Sequence, residues 1–174
     1  MTRAQMGKWV GSCGGLGLLP GMPGTYASLA AALIFYALCL EFGAGAHLVV
    51  RLVVLVLVLV VGAIGWVVYS SAQDYFKSPD PHQFVLDEVM GQWIVLLCVP
   101  VATHALSHTA AGFFLFRTLD VAKPYPIRQV ERIPSYWGVA LDDVVAAVYA
   151  AIGLWVVFAL EQIVIGQDIM GEFT

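Results

Sequence analysis

Apolar residues run along this chain in stretches too long and too unbroken for a soluble core. The clearest is Leu48 to Tyr69, LVVRLVVLVLVLVVGAIGWVVY, with one charge, Arg51, near its start. As a helix it would be about 33 Å long, enough to cross a hydrocarbon layer of ~30 Å. Arg51 can snorkel to the interface from that position. Asp142 to Gly166 is a second stretch of membrane length, with Glu161 near its far end. Ser28 to Leu40, SLAAALIFYALCL, is shorter and needs the residues before it to cross. Val89 to Ala102 and Thr109 to Leu119 are apolar but short. They predict a helical hairpin joined near His104 to His108, crossing only with extension, tilt or local thinning. The pattern predicts an all-α fold, a small polytopic membrane bundle of about four to five helices. One integral membrane domain over 1–174 is the natural reading at this length.

Composition agrees with lipid as the solvent. The chain is 60% hydrophobic and 11% charged, with mean hydropathy +0.86, whereas a soluble domain carries about 25% charged residues. The net charge of −4 argues against a nucleic-acid partner. Cys13, Cys39 and Cys98 are odd in number and irregular in spacing, so they form neither a disulfide framework nor a zinc site. The early stretch after Arg3 and Lys8 is too rich in glycine and proline for a secretory signal core.

Charge is distributed by side. If five helices cross with the N-terminus inside, segments 1–27, 70–88 and 117–141 are inner and hold seven of the eight Lys and Arg. This follows the positive-inside rule. The conspicuous polar clusters fall on the same side: PGTYAS (Pro23 to Ser28), DPHQFVLDE (Asp80 to Glu88), RTLDVAK (Arg117 to Lys123) and LDD (Leu141 to Asp143). A polar site at the inner, cytoplasmic face of the membrane is therefore expected.

Asp87-Glu88 and Asp142-Asp143 each open an apolar run. Helix capping would explain one acid of each pair. A second adjacent carboxylate at a membrane boundary adds repulsion and desolvation, which a divalent cation would offset. Mg²⁺ takes oxygen ligands, usually one or two carboxylates with substrate phosphate and water. Asp120 sits at the negative end of its predicted helix, between Arg117 and Lys123 at i, i+3, i+6. That spacing makes either a salt-bridge ladder or a metal-binding carboxylate between two phosphate-binding cations. Pro124 and Pro126 end the helix and stiffen the segment that carries Lys123 and Arg128. GGLGLLPGMPGTYAS lacks the Gly-Lys-Ser/Thr ending of a P-loop, though Thr25 and Ser28 could add hydroxyls to an anion site or simply lead into a helix. HALSH (His104 to His108) lacks the glutamate of a zinc-protease motif, and His82 is read as a surface histidine rather than a proton donor.

LPGMPGTYASLAA, DPHQFVLDEVMGQWI, FRTLDVAKPYPIR and GVALDDVVAAV, in that order, resemble the bacterial phosphatidylglycerophosphatase A family over roughly residues 11–150. Ala27-Ser28, the segment SYWGVAL and Tyr125 depart from the family's usual residues, and none of these removes an acid or a base. The resemblance implies a small membrane enzyme that removes the terminal phosphate of phosphatidylglycerol phosphate and requires Mg²⁺. On that reading Asp87, Glu88, Asp120, Asp142 and Asp143 supply the metal site, with Asp87, Asp120 and Asp143 in the chemistry. Thr25, Ser28, Arg117, Lys123 and Arg128 hold the phosphoryl oxygens. Attack by water is favoured over an aspartyl-phosphate on Asp120 or Asp87. A small cation transporter and a non-enzymatic membrane scaffold are the readings from other classes.

Overall fold

The computed structural model describes residues 2–99 and 105–171, and all regular structure among them is helical. Helix α1 (Arg3–Gly11) leads through a 3-10 segment, Cys13–Leu18, into α2 (Pro23–Phe42). Then follow α3 (His47–Phe76), α4 (Leu86–Leu96), α5 (Ala105–Ala122), the single-turn α6 (Ile127–Val130) and α7 (Tyr136–Gly171). Of the connection expected near His104 to His108, His104 lies outside the described residues, while residues 105–108 already form the first turn of α5.

Three helices are long and apolar enough to cross a membrane: α2, α3, and α7 as far as Ile163. With 11 residues, α4 reaches only about 17 Å and cannot cross alone. Helix α5 is long enough but carries Arg117 and Asp120 in its last two turns. Among the described residues the bundle thus has three helices of membrane length and composition, with α4 and α5 packed against them. Helix α3, with 30 residues, is about 45 Å long, so roughly 15 Å of it extends beyond a ~30 Å hydrocarbon layer.

Two helices begin earlier than the apolar pattern suggests. Helix α2 starts at Pro23, where a fixed φ suits the first turn and the missing N–H costs nothing. Gly24, Thr25 and Ser28 therefore lie on a helix and not on a loop. Helix α7 starts at Tyr136, so Asp142 and Asp143 sit well inside it and cannot be its cap. Asp87 and Glu88 do lie in the first turn of α4, but the cap position is Val85, which makes no side-chain cap hydrogen bond.

Small residues let the helices approach closely. Ala27, Ala31 and Ala32 on α2, and Ala146, Ala147 and Ala150 on α7, are buried, as in membrane bundles where dispersion rather than water expulsion holds helices together. The Trp93 indole N–H donates to the Ala31 carbonyl at 3.0 Å, tying α4 to α2. Large apolar side chains such as Leu52, Leu59 and Trp155 are mostly exposed, a surface suited to lipid. Helix α1 lies against the end of α3 remote from His47, because Gly7 admits the backbone of Ser71 and Ala72. Its last residue then fixes the approach to α4: the Val85 N–H donates to the Gly11 carbonyl at 2.9 Å. The Tyr69 hydroxyl donates to the Pro79 carbonyl at 3.0 Å and anchors the other end of that connection.

Candidate active site

The ends of α2, α4, α5 and α7 converge on one cavity of about 530 Å³. Its wall carries seven carboxylates, on Asp80, Asp87, Glu88, Asp120, Glu131, Asp142 and Asp143, against the two cations Arg117 and Lys123. Such an excess of negative charge is costly at the edge of a low-dielectric bundle unless a cation joins it.

Asp87, Glu88 and Asp143 form the tight centre. One oxygen from each lies within 4.8 Å of the other two. Asp87 Oδ1 and Glu88 Oε2 are buried without a hydrogen-bond partner. Burial, then the charges of Glu88 and Asp143, push the Asp87 carboxyl well above the usual carboxylate range. Burial likewise raises Glu88. Oxygens bound at 2.0–2.6 Å to a single ion lie up to ~5 Å apart, so these three fit a hard divalent cation in spacing and chemistry. The orphaned oxygens are the atoms such an ion would satisfy.

The other two acids expected at the metal site, Asp120 and Asp142, are paired with cations of the chain. Asp120 Oδ2 accepts from Arg117 Nη1 at 2.6 Å. Asp142 Oδ2 accepts from Lys123 Nζ at 2.8 Å, and Lys123 also donates to Glu131 Oε1 at 2.6 Å. Burial opposes the charged lysine, but the hydrogen bonds to Asp142 and Glu131 outweigh it and hold Lys123 above the usual lysine range. The ladder expected from i, i+3, i+6 is therefore split: Arg117 takes Asp120, while Lys123 turns away to α7. The left-handed backbone at Lys123, φ 43°, aims it there just past the end of α5.

Arg117 also donates to Ser28 Oγ at 3.5 Å, and its Nε is buried and unpartnered. Thr25 Oγ1 is likewise unpartnered but does not line the cavity. Arg128 is exposed and absent from the cavity wall, so the structure does not bring it to the phosphate-binding group expected of it. His82 is exposed at the cavity mouth. Sequence reasoning missed Glu131, which no helix pattern marks, and Gln92, a fully buried amide with neither atom partnered. Gln92 stands at i+4 from Glu88, a spacing that could have flagged it. His108 is paired with Glu161 at 2.9 Å, away from these residues.

Gly24 leaves the room that the Glu88 carboxylate occupies in the centre. A Cβ there would overlap the Glu88 carboxylate. Gly24→Ala should displace Glu88 and weaken divalent-cation binding at the centre at least tenfold, read by thermal unfolding with and without Mg²⁺, while helicity by circular dichroism stays unchanged. Undiminished binding would show that Glu88 does not need its present position.

The fold is thus a helical bundle of membrane-length helices with a carboxylate centre and an arginine beside it. A sequence profile of the family described as Phosphatidylglycerophosphatase A matches residues 9–158. The chain belongs to that family, and it is a phosphatase. It is 36% identical over 138 residues to Phosphatidylglycerophosphatase A of Escherichia coli, covering 79% of this chain and 74% of the relative. It is 32% identical over 148 residues to the Haemophilus influenzae protein of the same name, covering 84% and 83%. A Bacteroides thetaiotaomicron protein provisionally named a phosphatidylinositol-3-phosphatase is 34% identical over 152 residues, covering 85% and 93%. No solved structure matches the chain.

Proposed function

We propose that this protein hydrolyses the terminal phosphomonoester of phosphatidylglycerol phosphate, with Mg²⁺, at the cytoplasmic face of a bacterial inner membrane. The observation that carries this reading is the convergence of Asp87, Glu88 and Asp143 beside Arg117 in a cavity at one end of a membrane bundle. The names of the E. coli and H. influenzae relatives supply the substrate. Arg3, Lys8, Lys77, Arg117, Lys123, Arg128 and Arg132 all belong to the segments read as lying on the cavity side, and the positive-inside rule supports an inward orientation of that side.

Asp87, Glu88 and Asp143 would hold Mg²⁺. Bound there, the ion would neutralise phosphoryl charge and lower the pKa of a bound water. Arg117 grips the phosphoryl oxygens through its free Nε–H and the rest of its fork, with Asp120 and Ser28 fixing its plane. Lys123 holds Asp142 in place through its hydrogen bond. A carboxylate of the centre takes the proton as the water oxygen forms its bond to phosphorus. The bond from phosphorus to the glycerol oxygen breaks, the carboxylate returns its proton to that oxygen, and phosphatidylglycerol and inorganic phosphate leave.

The test is phosphate release by the purified protein in mixed micelles. Phosphatidylglycerol phosphate should be hydrolysed with Mg²⁺, and a chelator should reduce the rate to background. Phosphatidylinositol 3-phosphate run in parallel separates the substrate named for the Bacteroides relative. Equal rates in chelator would remove the metal from the reaction, and release only from the phosphoinositide would replace the substrate.

A further inference from the structure

A second cavity lies on the other side of the same two helices that build the carboxylate centre. It is an apolar groove of about 450 Å³ between α3 and α7, lined among others by Gly62, Ala63, Trp66, Met90, Ala140 and Val144. Helix α4 serves both cavities: Asp87 and Glu88 face the carboxylate centre, and Met90, three residues after Asp87, faces the groove. Helix α7 does the same, with Val139, Asp142 and Asp143 on one side and Ala140, Leu141 and Val144 on the other. The partition between them is aromatic. Phe84 lines the polar cavity, Tyr136 lines the groove, and their rings meet edge to face at 6.2 Å. The Tyr136 hydroxyl is spent on the Gly62 carbonyl at 2.9 Å, which leaves the groove wall without a free polar group from that residue.

The groove also has a direction. Trp66 and Trp137 stand exposed at its end beside the polar cavity, where indoles favour the boundary between headgroups and tails. From Tyr136 to Val144, and from Trp66 to Val58, it follows each helix for about 12 Å away from that end.

We infer that this groove binds one acyl chain of the lipid whose phosphate occupies the carboxylate centre. The inference rests on the lipid phosphatase reading above and adds a tail subsite to it. A diacyl lipid phosphate is the ligand that needs a polar and an apolar cavity sharing a wall. The small residues Gly62, Ala63 and Ala140 leave the width for a chain, and a Cβ at Gly62 would already reach Met90 Sδ at 3.0 Å. A comparable apolar hollow around Ala151 on α7 shares no lining residue with the carboxylate cavity and serves as a control.

The experiment compares Gly62→Leu, Ala63→Phe and the control Ala151→Phe on two substrates, long-chain phosphatidylglycerol phosphate and its fully deacylated, water-soluble headgroup. Gly62→Leu and Ala63→Phe should raise KM for the long-chain lipid tenfold or more and leave kcat/KM for the headgroup unchanged. Ala151→Phe should change neither. A long-chain substrate with a photoactivatable group on its acyl chain should label α3 and α7 in the groove more strongly than photoactivatable phosphatidylcholine does. Slowing of both substrates alike, no slowing in either groove variant, or equal labelling by both lipids would overturn the groove while leaving the activity standing. Cross-links between two copies of the chain at the groove would overturn it in favour of a dimer contact. A wild-type protein inactive on every lipid phosphate would instead overturn the activity, and the labelling comparison would still decide the groove.

Discussion

Asp87→Asn should lower phosphate release by about 10³-fold, the loss expected when several kcal/mol of metal-borne charge stabilisation disappears at 1.36 kcal/mol per decade. The amide keeps the volume of the carboxyl and stays on the first turn of α4, so packing is preserved. Stability should move the other way. Asp87 is raised well above the usual range by burial and by Glu88 and Asp143, so its ionised form disfavours the fold. A group with a raised folded pKa stabilises the protein fully below its unfolded value, about 3.9, and loses that contribution as pH rises toward the folded value. Glu88 is raised as well and acts in the same sense. The metal-free wild-type protein should therefore unfold at lower temperature as pH climbs from about 4 toward neutrality, and millimolar Mg²⁺ should restore the loss. Asp87→Asn should flatten that pH dependence and abolish most of the Mg²⁺ effect. Thermal unfolding in detergent reads both quantities without any turnover. A variant that stays active, or one whose unfolding still responds fully to Mg²⁺, would remove Asp87 from the centre.

Much of this centre was legible before any coordinates, and the reason is physical. Doubled acids beside apolar runs are costly, so Asp87-Glu88 and Asp142-Asp143 stand out in the sequence as more than a cap needs. The structure then removes capping for Asp142 and Asp143 by starting α7 at Tyr136. The long apolar run at Leu48 to Tyr69 falls wholly within α3, since nothing but a helix satisfies its backbone in lipid. Other features depend on contacts that periodicity does not encode. Helix α1 carries few apolar residues and is held mainly by the close approach at Gly7. The partner of Lys123 could not be read from spacing, because a left-handed residue past the end of α5 redirects the side chain across to Glu131 and Asp142. Arg128 looked equivalent to Arg117 in sequence. It falls on the one-turn helix α6, whose buried residue is Ile127, and that leaves Arg128 facing outward.

The second large effect concerns Asp120, for which sequence and structure emphasise different roles. Its position between two bases suggested a metal ligand. In the folded protein its Oδ2 is engaged by Arg117 at 2.6 Å, and the closest carboxylate trio forms without it. An arginine held at its Nη1 end by Asp120 and Ser28 presents the remaining N–H groups in a fixed plane, and its buried Nε–H has no other partner. Loss of that plane should cost as much as loss of the guanidinium itself. Asp120→Asn and Arg117→Ala should each lower kcat/KM by ~10²–10³, the range for removing one preorganised donor at a developing oxyanion. The double variant should be little worse than either single, because residues acting as a unit are not additive. Arg117→Lys keeps the charge but loses the fork, and should recover only a small part of the rate. Independent roles give a different pattern: the two losses would multiply to ~10⁴ or more, and Asp120→Asn would also reduce the Mg²⁺-dependent rise in unfolding temperature. If Asp120 acts only through Arg117, Asp120→Asn leaves that rise intact. The unfolding curve therefore decides between the metal-ligand and positioning roles even in a variant too slow to assay.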